Sequence, residues 1–169
     1  MDEVVLVDMM DRETGREEKI TAHEKGMLHR AFSVFLFHGD SLLLQKRASS
    51  KYHCGGLWTN TCCSHPRAGE EVKEAAVRRL KEELGICVDD LMEVHSFVYH
   101  QEFENGLTEF EYDHVLTGEY SGTWVENPDE VEEVKWVRLP KLLEEVRKNP
   151  AAYTPWFIVA LKEAAKGRV

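Results

Sequence analysis

The segment from residue 70 to residue 86 is the part of the chain that most constrains its fold. The apolar residues of this segment recur every four positions, at Val72, Ala76, Leu80 and Leu84. Such spacing places side chains on one face of an α-helix. The residue that follows, Gly85, is well suited to end a helix in the left-handed conformation. We therefore predict a helix over residues 70–84 that buries one face and turns its charged face towards solvent or a cleft.

Apolar runs outside this helix predict β-strands. Residues 31–37 and 41–45 are interpreted as a buried β-hairpin. Residues 9–19 form a charged, turn-rich stretch in which Thr14-Gly15 is expected at a hairpin turn. The other elements are expected as strands at 4–7, 93–101, 108–116 and 132–138 and as helices at 139–148 and 155–166. Strands interrupted by a few helices predict an α+β sandwich.

Length and charge limit the classes of protein to which the chain can belong. At 169 residues it is expected to form one domain. A formal net charge of -10 argues against binding to nucleic acid or to an anionic membrane. The longest apolar run, residues 31–37, is far shorter than the ~20 residues of a membrane span. Four cysteines without paired C-x2-C spacing fit a reducing, cytoplasmic setting. We expect a monomer with a small-molecule substrate.

Two pairs of residues at i and i+2 are capable of chemistry. In an extended segment Cys63 and His65 project from the same side, which brings a thiol and an imidazole together. Glu109 and Glu111 repeat this geometry, with carboxylates about 7 Å apart along the strand. Each pair also has a plain structural interpretation, because a buried cysteine is most often inert packing and the two glutamates fit an amphipathic surface strand.

The histidines and carboxylates together form a candidate metal site. Three imidazoles and two carboxylates make a mixed nitrogen and oxygen donor set that suits a divalent transition metal, namely zinc, manganese or iron. These residues are His23, His29, His65, Glu109 and Glu111. Taken singly, each histidine is more often a satisfied surface or core residue than a metal ligand.

Basic and aromatic residues extend the candidate site. A clamp for phosphate oxygens is one interpretation of four cations: Lys19, Arg47, Lys51 and Arg79. Ordinary surface charge is the simpler interpretation without knowledge of the fold. Trp156 is either a core residue or an aromatic face for a cationic species. Tyr99 is either strand packing or a hydroxyl donor.

The helix segment also resembles a known motif. Nudix proteins share the pattern G-x5-E-x7-R-E-U-x-E-E-x-G-U, in which U is a bulky aliphatic residue. The positions in register are Glu70, Arg78, Leu80, Glu82, Glu83, Gly85 and Ile86. Two positions depart from the pattern. Ser64 replaces the first glycine, and Arg79 replaces the glutamate that Nudix hydrolases need most for their catalytic metals.

Along nearly its whole length the chain resembles the type I isopentenyl-diphosphate Δ-isomerases, a divergent Nudix family. The resemblance runs through His23 and residues 28–33 (LHRAFS), 45–48 (QKRA), 58–66 (WTNTCCSHP), 109–111 and 154–156 (TPW). It implies a Nudix fold, which is an α/β/α sandwich with a mixed β-sheet and flanking helices. It also implies a single isomerase domain over residues 1–169, in which residues 1–30 are an N-terminal extension that contributes to the site.

The resemblance implies a proton-transfer reaction. The family interconverts isopentenyl diphosphate and dimethylallyl diphosphate by adding a proton at one end of an allylic system and removing one at the other. Cys63 and Glu111 resemble the two proton-transfer partners, assisted by Glu109 and Tyr99. Cys63 is expected to act as a thiolate, which requires surroundings that favour ionisation from an ordinary pKa of about 8.5. Cys62 is assigned to packing, because alternation turns it to the other side.

The resemblance further implies two metal sites and a substrate-binding surface. One divalent transition metal, zinc or manganese, is expected at His23, His29, His65, Glu109 and Glu111. A magnesium ion that bridges to the diphosphate is expected at Glu83 and the main-chain carbonyl of Cys63. The diphosphate is expected to contact Lys19, Arg47, Lys51 and Arg79. Trp156 is expected to face the tertiary carbocation.

Two other functions remain open at this point. A Nudix hydrolase of a nucleoside diphosphate derivative is favoured by Glu82, Glu83 and Gly85 and opposed by Arg79, Ser64 and the cysteine segment. A noncatalytic zinc-binding interaction domain would use the cysteines and histidines. These residues lack paired C-x2-C spacing, and strand carboxylates are unusual in a closed structural zinc site.

Overall fold

The computed structural model describes residues 2–168. Within these residues, nine strands lie at Glu3–Val7 (β1), Glu13–Glu18 (β2), His29–His38 (β3), Ser41–Arg47 (β4), Trp58–Thr59 (β5), Cys62–Ser64 (β6), Met92–Glu102 (β7), Thr108–Glu119 (β8) and Val131–Arg138 (β9). The α-helices lie at Lys19–Lys25 (α1), Val72–Leu84 (α2), Leu139–Lys148 (α3) and Pro155–Ala164 (α4), with a 3-10 turn at Pro150–Ala152. All of these strands belong to one sheet.

Strand β3 lies at the centre of the sheet, because both of its edges are paired. Strand β8 runs parallel to it over nine residue pairs, from His29 with Glu111 to Phe37 with Glu119. On the other edge, β1, β6 and β4 pair with it in antiparallel orientation. Strand β7 extends the sheet beyond β8, β9 and β5 pair with β4, and β2 pairs with β1. The combination of parallel and antiparallel pairs makes the sheet mixed, as predicted.

Alternation along β3 divides the core into two layers. Phe32, Val34 and Leu36 face one side of the sheet and pack with the apolar stripe of α2. Phe35 and Phe37 face the other side and pack with α3 and α4. Helices therefore cover both faces of the sheet, which confirms the predicted α+β fold with α/β/α layers.

Helix α2 is the predicted amphipathic helix. Its stripe is fully buried at Ala76, Leu80 and Leu84. Gly85 has a φ of 62° and ends the helix in the left-handed conformation, as predicted. The helix begins at Val72 rather than at residue 70, because Glu71 and Glu74 form a capping box in which each side chain bonds the other's backbone N–H.

The prediction of a hairpin turn at Thr14-Gly15 is wrong. Both residues lie inside β2, where Gly15 pairs with Leu6 of β1 and Thr14 lies at a register shift between two pairs. The turn is formed instead by Asp8, whose carboxylate accepts hydrogen bonds from the backbone N–H groups of Met10 and Arg12. An aspartate that accepts hydrogen bonds from two backbone N–H groups stabilises a turn at its own position. The prediction relied on Gly15 as the turn residue and did not consider Asp8.

The sequence pattern did not predict α1, β5 or β6. Helix α1 has seven residues, and Glu18 caps its first turn through two backbone N–H groups. Strands β5 and β6 have two and three residues, which is too short for a periodic pattern to be recognised. These elements matter to the site, because α1 carries Lys19 and His23 and β6 carries Cys63.

The closing helices agree with the predicted ones. Helix α3 has the predicted bounds, and α4 begins at Pro155 as predicted but ends at Ala164 rather than at residue 166. Within residues 2–168, no single helix is both long enough and apolar enough to cross a membrane.

Replacing Phe157 with alanine is expected to lower the free energy of unfolding by about 3 to 5 kcal/mol, the usual cost of removing a buried aromatic ring. The ring is fully buried, and its centroid lies 5.9 Å from that of Phe35 and 5.7 Å from that of Tyr153. The control is Val159→Ala on the exposed side of the same helix, which is expected to cost less than about 0.5 kcal/mol. Urea denaturation measures both changes, and equal losses would contradict the assigned core.

Candidate active site

Strand β3 brings both candidate reactive pairs to one part of the sheet. Its residue Ser33 is paired with Cys63 of β6, and its residue His29 is paired with Glu111 of β8. Strands β6 and β8 lie on opposite edges of β3. The thiol and the carboxylate therefore come from separate strands that share one neighbour.

A cavity of about 430 Å³, counting its open mouth, lies over this part of the sheet. The predicted site residues that line it are Lys19, Arg47, Lys51, Cys63, His65, Arg79, Glu109, Glu111 and Trp156. The other predicted residues are buried and do not line it: His23, His29, Glu83 and Tyr99.

Backbone carbonyls fix the proton positions of two buried histidines. Nδ1 of His23 lies 2.6 Å from the carbonyl oxygen of Lys19, and Nδ1 of His29 lies 2.8 Å from that of Met27. A carbonyl oxygen only accepts, so each Nδ1 carries a proton. The ring centroid of His29 lies 4.8 Å from that of His23 and 4.9 Å from that of His65. Both Nε2 atoms are thereby left as the nitrogens that can bind a metal.

Glu109 and Glu111 are held in different ionisation states. One oxygen of Glu111 lies 2.9 Å from Nε2 of His65 and 3.4 Å from Nε2 of His29. Burial disfavours the ionised form, but these two contacts hold the pKa of Glu111 well below its usual range. Burial and the charge of Glu111 raise the pKa of Glu109 well above its usual range. The two carboxyl groups together therefore hold one proton, on the Glu109 side.

The side chains present fit a divalent cation. The buried Nε2 of His23 has no hydrogen-bond partner among the residues described, although a buried nitrogen of this kind normally has one. Ligand atoms within 4.8 Å of one another are offered by His23, His29, His65 and Glu111. Glu109 belongs to a second such group, with His23 and His53. Imidazole nitrogen and carboxylate oxygen together suit a divalent transition metal.

Glu83 lies on α2 and is bonded on both of its oxygens. Oε1 accepts a hydrogen bond from Arg79 at 3.1 Å, and Oε2 accepts from the thiol of Cys62 at 2.8 Å and from Gln45 at 3.5 Å. Burial raises the pKa of Cys62 well above its usual range, so this thiol stays protonated and donates. Cys62 is buried as expected, but it also orients a predicted metal ligand. Its assignment to packing alone is incomplete.

Two of the predicted phosphate-binding cations share one acidic partner. Nζ of Lys51 lies 2.6 Å from the Glu130 carboxylate, and Arg79 lies 3.4 Å from the same group. Arg79 also contacts Glu82, three residues further along the helix, at 2.7 Å. An anion in the cavity must therefore compete with Glu130 for these two cations.

Arg47 and Trp156 line one wall of the site, and Tyr99 belongs to the same core cluster as Trp156. The guanidinium carbon of Arg47 lies 5.3 Å from the centroid of the Trp156 ring, within the ~6 Å range of a cation–π contact. Nη1 of Arg47 lies 4.0 Å from Sγ of Cys63. Tyr99 is paired with Glu111 between β7 and β8, and its buried hydroxyl has no partner within the described part of the chain. Trp156 can offer an aromatic face to the cavity, and the buried Tyr99 can offer a hydroxyl donor.

The surroundings of Cys63 differ from those that a thiolate requires. Burial raises the pKa of Cys63 to about 12, even though Arg47 opposes this shift. One guanidinium at 4.0 Å does not offset the loss of water around the sulfur. The sequence predicted surroundings that favour the thiolate, but the protein groups alone do not provide them. Without other positive charge, the thiol of Cys63 is therefore neutral.

Three polar residues of the site were not predicted. Asp113 is buried and accepts a hydrogen bond from Ser33 of β3. It continues the i, i+2 series of Glu109 and Glu111, so the sequence did contain a signal for it. His53 and Glu130 lie in loops, where no periodic pattern identifies a residue that reaches the site.

Comparison with known proteins assigns the family. The model described as NUDIX domain matches residues 27–157. An isopentenyl-diphosphate Delta-isomerase 2 of Photorhabdus laumondii is 52% identical over 159 residues, which cover 93% of this chain and 89% of that protein. An isopentenyl-diphosphate Delta-isomerase 2 of Aromatoleum aromaticum is 50% identical over 161 residues, covering 95% and 85%. This chain belongs to the isopentenyl-diphosphate Delta-isomerase family.

A solved structure shows that the fold of this family member is the NUDIX fold. A protein of Deinococcus radiodurans superimposes with a TM-score of 0.78 at 20% sequence identity, covering 96% of this chain and 99% of that one. At this identity the likeness concerns the fold alone. It confirms the predicted Nudix architecture.

Membership of the isomerase family decides between the functions that the sequence left open. It supports an isomerase over a Nudix hydrolase and over a noncatalytic zinc-binding domain. The buried histidine and glutamate groups agree with the use of divalent metals by NUDIX proteins.

The raised pKa of Cys63 predicts a steep pH dependence of its reactivity. Because the thiolate is the form that reacts with iodoacetamide, the alkylation rate should rise about tenfold per pH unit between about pH 7 and pH 10, below the pKa of about 12. Metal-depleted protein is alkylated at several pH values, and each cysteine peptide is quantified by mass spectrometry. The exposed Cys87 serves as the internal reference. A plateau for Cys63 near neutral pH would contradict the assignment.

Proposed function

We propose that this protein interconverts isopentenyl diphosphate and dimethylallyl diphosphate by proton transfer at both ends of an allylic system. The observation that carries the proposal is the pairing of Cys63 and Glu111 with opposite edges of β3, beside a cavity that basic residues also line. The reaction needs an acid and a base on separate walls of one site. Relatives that are 50 and 52% identical are named for this reaction, which supports the same assignment.

The proton balance of the reaction determines the role of each group. One proton is added to the alkene, and another is removed from the resulting tertiary cation, so the substrate keeps its composition. We assign the acid to the Glu109 and Glu111 pair, which shares one proton, and the base to Cys63. Cys63 would act as the thiolate once positive charge from bound cations offsets the effect of burial on its thiol. The buried hydroxyl of Tyr99 assists protonation. After a turnover the acid has lost a proton and the base has gained one, so exchange with solvent or a reverse turnover restores both.

The tertiary cation needs protection from water and a stabilising surface. Trp156 is 3% exposed and belongs to the core cluster on the α4 side of the sheet. Its indole face can stabilise a cation by about 0.5 to 2 kcal/mol, depending on desolvation. Arg47 lies between this ring and Cys63, so it links the reacting end of the substrate to the diphosphate end.

The cations that line the cavity are proposed to bind the diphosphate. These are Lys19, Arg47, Lys51 and Arg79. Arg79 stands where Nudix hydrolases have a metal-binding glutamate, and it contacts Glu82 and Glu83 at 2.7 and 3.1 Å. A cation at this position holds the diphosphate and removes a metal ligand that hydrolysis would need. Retention of the diphosphate without cleavage suits an isomerase.

Two divalent cations fit the donor groups of the site. We assign a zinc or manganese ion to His23, His29, His65, Glu109 and Glu111. We assign a magnesium ion to Glu83 and the main-chain carbonyl of Cys63. When bound, these ions supply positive charge that orients the carboxylates and offsets the charge of the diphosphate.

The wider organisation of the protein is part of the same proposal. We propose a cytoplasmic monomer with one domain, in which residues 1–30 are an extension that contributes Lys19 and His23 to the site. We expect no nucleic-acid or membrane partner, in keeping with the formal net charge of -10.

Cys63→Ala and Glu111→Gln are each expected to slow isomerisation by about 10² to 10⁴-fold, because each removes one proton-transfer group. This range corresponds to about 3 to 5 kcal/mol of transition-state stabilisation. The reaction is followed by nuclear magnetic resonance of the two five-carbon diphosphates in the presence of magnesium. Thermal melting shows whether each variant is folded.

Cys87→Ala is the matched control, because Cys87 is an exposed cysteine outside the site and its loss should leave the rate unchanged. Cys62→Ala does not serve this purpose, since Cys62 bonds Glu83. Full activity in folded Cys63→Ala would overturn the proposed mechanism.

A further inference from the structure

His53 is a buried titratable residue that the proposed reaction does not use. It lies in the loop of residues 48–57, and its side chain is 3% exposed. Its ring stacks on Tyr52, with centroids 4.2 Å apart, and lies 5.1 Å from Phe103 and 5.6 Å from Trp156. A buried imidazole among aromatic rings must find partners for both of its nitrogens.

The contacts of these two nitrogens fix the tautomer. Nη2 of Arg47 lies 3.3 Å from Nδ1 of His53. A guanidinium N–H only donates, so Nδ1 accepts, and the proton of the neutral ring lies on Nε2. Nε2–H then donates to Oε1 of Glu109. Hydrogen bonds thus run in one direction from Arg47 through His53 to Glu109.

This arrangement makes the two oxygens of Glu109 inequivalent. Oε1 is engaged by His53, whereas the buried Oε2 has no partner within residues 2–168. A buried carboxyl oxygen without a partner is unusual unless another species is to occupy it. His53 therefore selects which oxygen of Glu109 stays available.

The loop that carries His53 is held by contacts other than the His53 ring. The side chain of Asn105 donates to the carbonyl of Tyr52 at 2.8 Å. At the base of the loop, the backbone N–H of Gly56 donates to Arg47, and that of Arg47 donates to Leu57, each at 2.9 Å. A preorganised loop orients a carboxylate without a further entropy cost on binding. Substitution of His53 therefore tests the ring nitrogens more than the folding of the loop.

We propose that His53 is a positioning residue that holds Oε1 of Glu109, couples this carboxylate to Arg47, and leaves Oε2 for a cation or the substrate. The inference rests on the proposed function only through the role given to Glu109. One loop thereby connects the diphosphate end of the site, at Arg47, with the reacting end, at Glu109. Because Nε2 of His53 carries a proton and donates it, His53 is assigned as a support of the metal ligand Glu109 and not as a ligand itself.

Three variants separate the roles of the two nitrogens. His53→Gln keeps an N–H at the same number of bonds from Cβ as Nε2 but loses the acceptor towards Arg47. His53→Asn keeps an acceptor at the position of Nδ1 but loses the donor towards Glu109. His53→Phe keeps the ring and its stacking but has neither group.

The variants are compared by zinc binding and by kinetics. Calorimetric titration of the metal-depleted protein with Zn²⁺ gives the metal affinity, and the isomerisation assay gives kcat and KM. His53→Asn and His53→Phe are expected to lower zinc affinity and kcat by about 10- to 100-fold, which is the usual effect of losing a partner of a metal ligand. His53→Gln is expected to keep both within about threefold. KM for the diphosphate should rise in His53→Gln and His53→Phe, where Arg47 loses the ring acceptor and keeps only the backbone carbonyl of His53, but not in His53→Asn.

The result that would overturn the proposal differs from a failure of the proposed function. Wild-type zinc affinity in His53→Phe would mean that the ring only packs. An equal loss of zinc affinity in all three variants, His53→Gln included, would mean that His53 itself binds the metal. If the wild-type protein does not isomerise the substrate, the zinc titrations still decide the inference, because they do not depend on activity. Thermal melting identifies a variant that does not fold. If His53→Phe does not fold, the comparison of His53→Gln with His53→Asn still separates the donor role of the ring from its acceptor role.

Discussion

The backbone pairing of β3 with β6 on one edge and β8 on the other is the constraint on which the site depends. It places Cys63 beside Ser33 and Glu111 beside His29. A slip of one residue in either pairing would turn the reactive side chain to the opposite face of the sheet. The register is fixed by the core, because alternate residues of β3 are buried in separate layers against α2 and against α3 and α4. Packing of apolar side chains thus determines where the polar groups meet.

Burial determines the protonation states of the titratable groups in the site. Loss of water lowers the pKa of His65 to about 3 and that of His23 to about 4, and it raises the pKa of Cys63 to about 12. Near neutral pH these groups are therefore uncharged. Neutral imidazoles are the form that binds a metal, so His23 and His65 need no deprotonation before they act as ligands. Glu111 and His29 are the exceptions, because contacts with His29 and His65 outweigh the desolvation of Glu111, and the contact with Glu111 raises the pKa of His29.

Sequence alone identified the parts of the site that follow a local pattern. The four-residue spacing of Leu80 and Leu84 defined α2, and two-residue spacing placed Cys63 with His65 and Glu109 with Glu111. The roles of these residues came from a family resemblance, because spacing alone left packing equally open. Features that depend on tertiary contacts were not predictable. Helix α1 is too short for a clear period, His53 reaches the site from a loop, and the pKa of Cys63 depends on how closely the surrounding chain excludes water.

The central claim is that two groups on opposite edges of β3 exchange protons with the substrate. Incubation of isopentenyl diphosphate with the protein and magnesium in heavy water tests it most directly, with the products followed by nuclear magnetic resonance. Both groups exchange their protons with solvent, so the account predicts that deuterium enters the dimethylallyl diphosphate and the recovered isopentenyl diphosphate. Conversion without incorporation of deuterium, which would indicate transfer of one proton within the substrate, would contradict it.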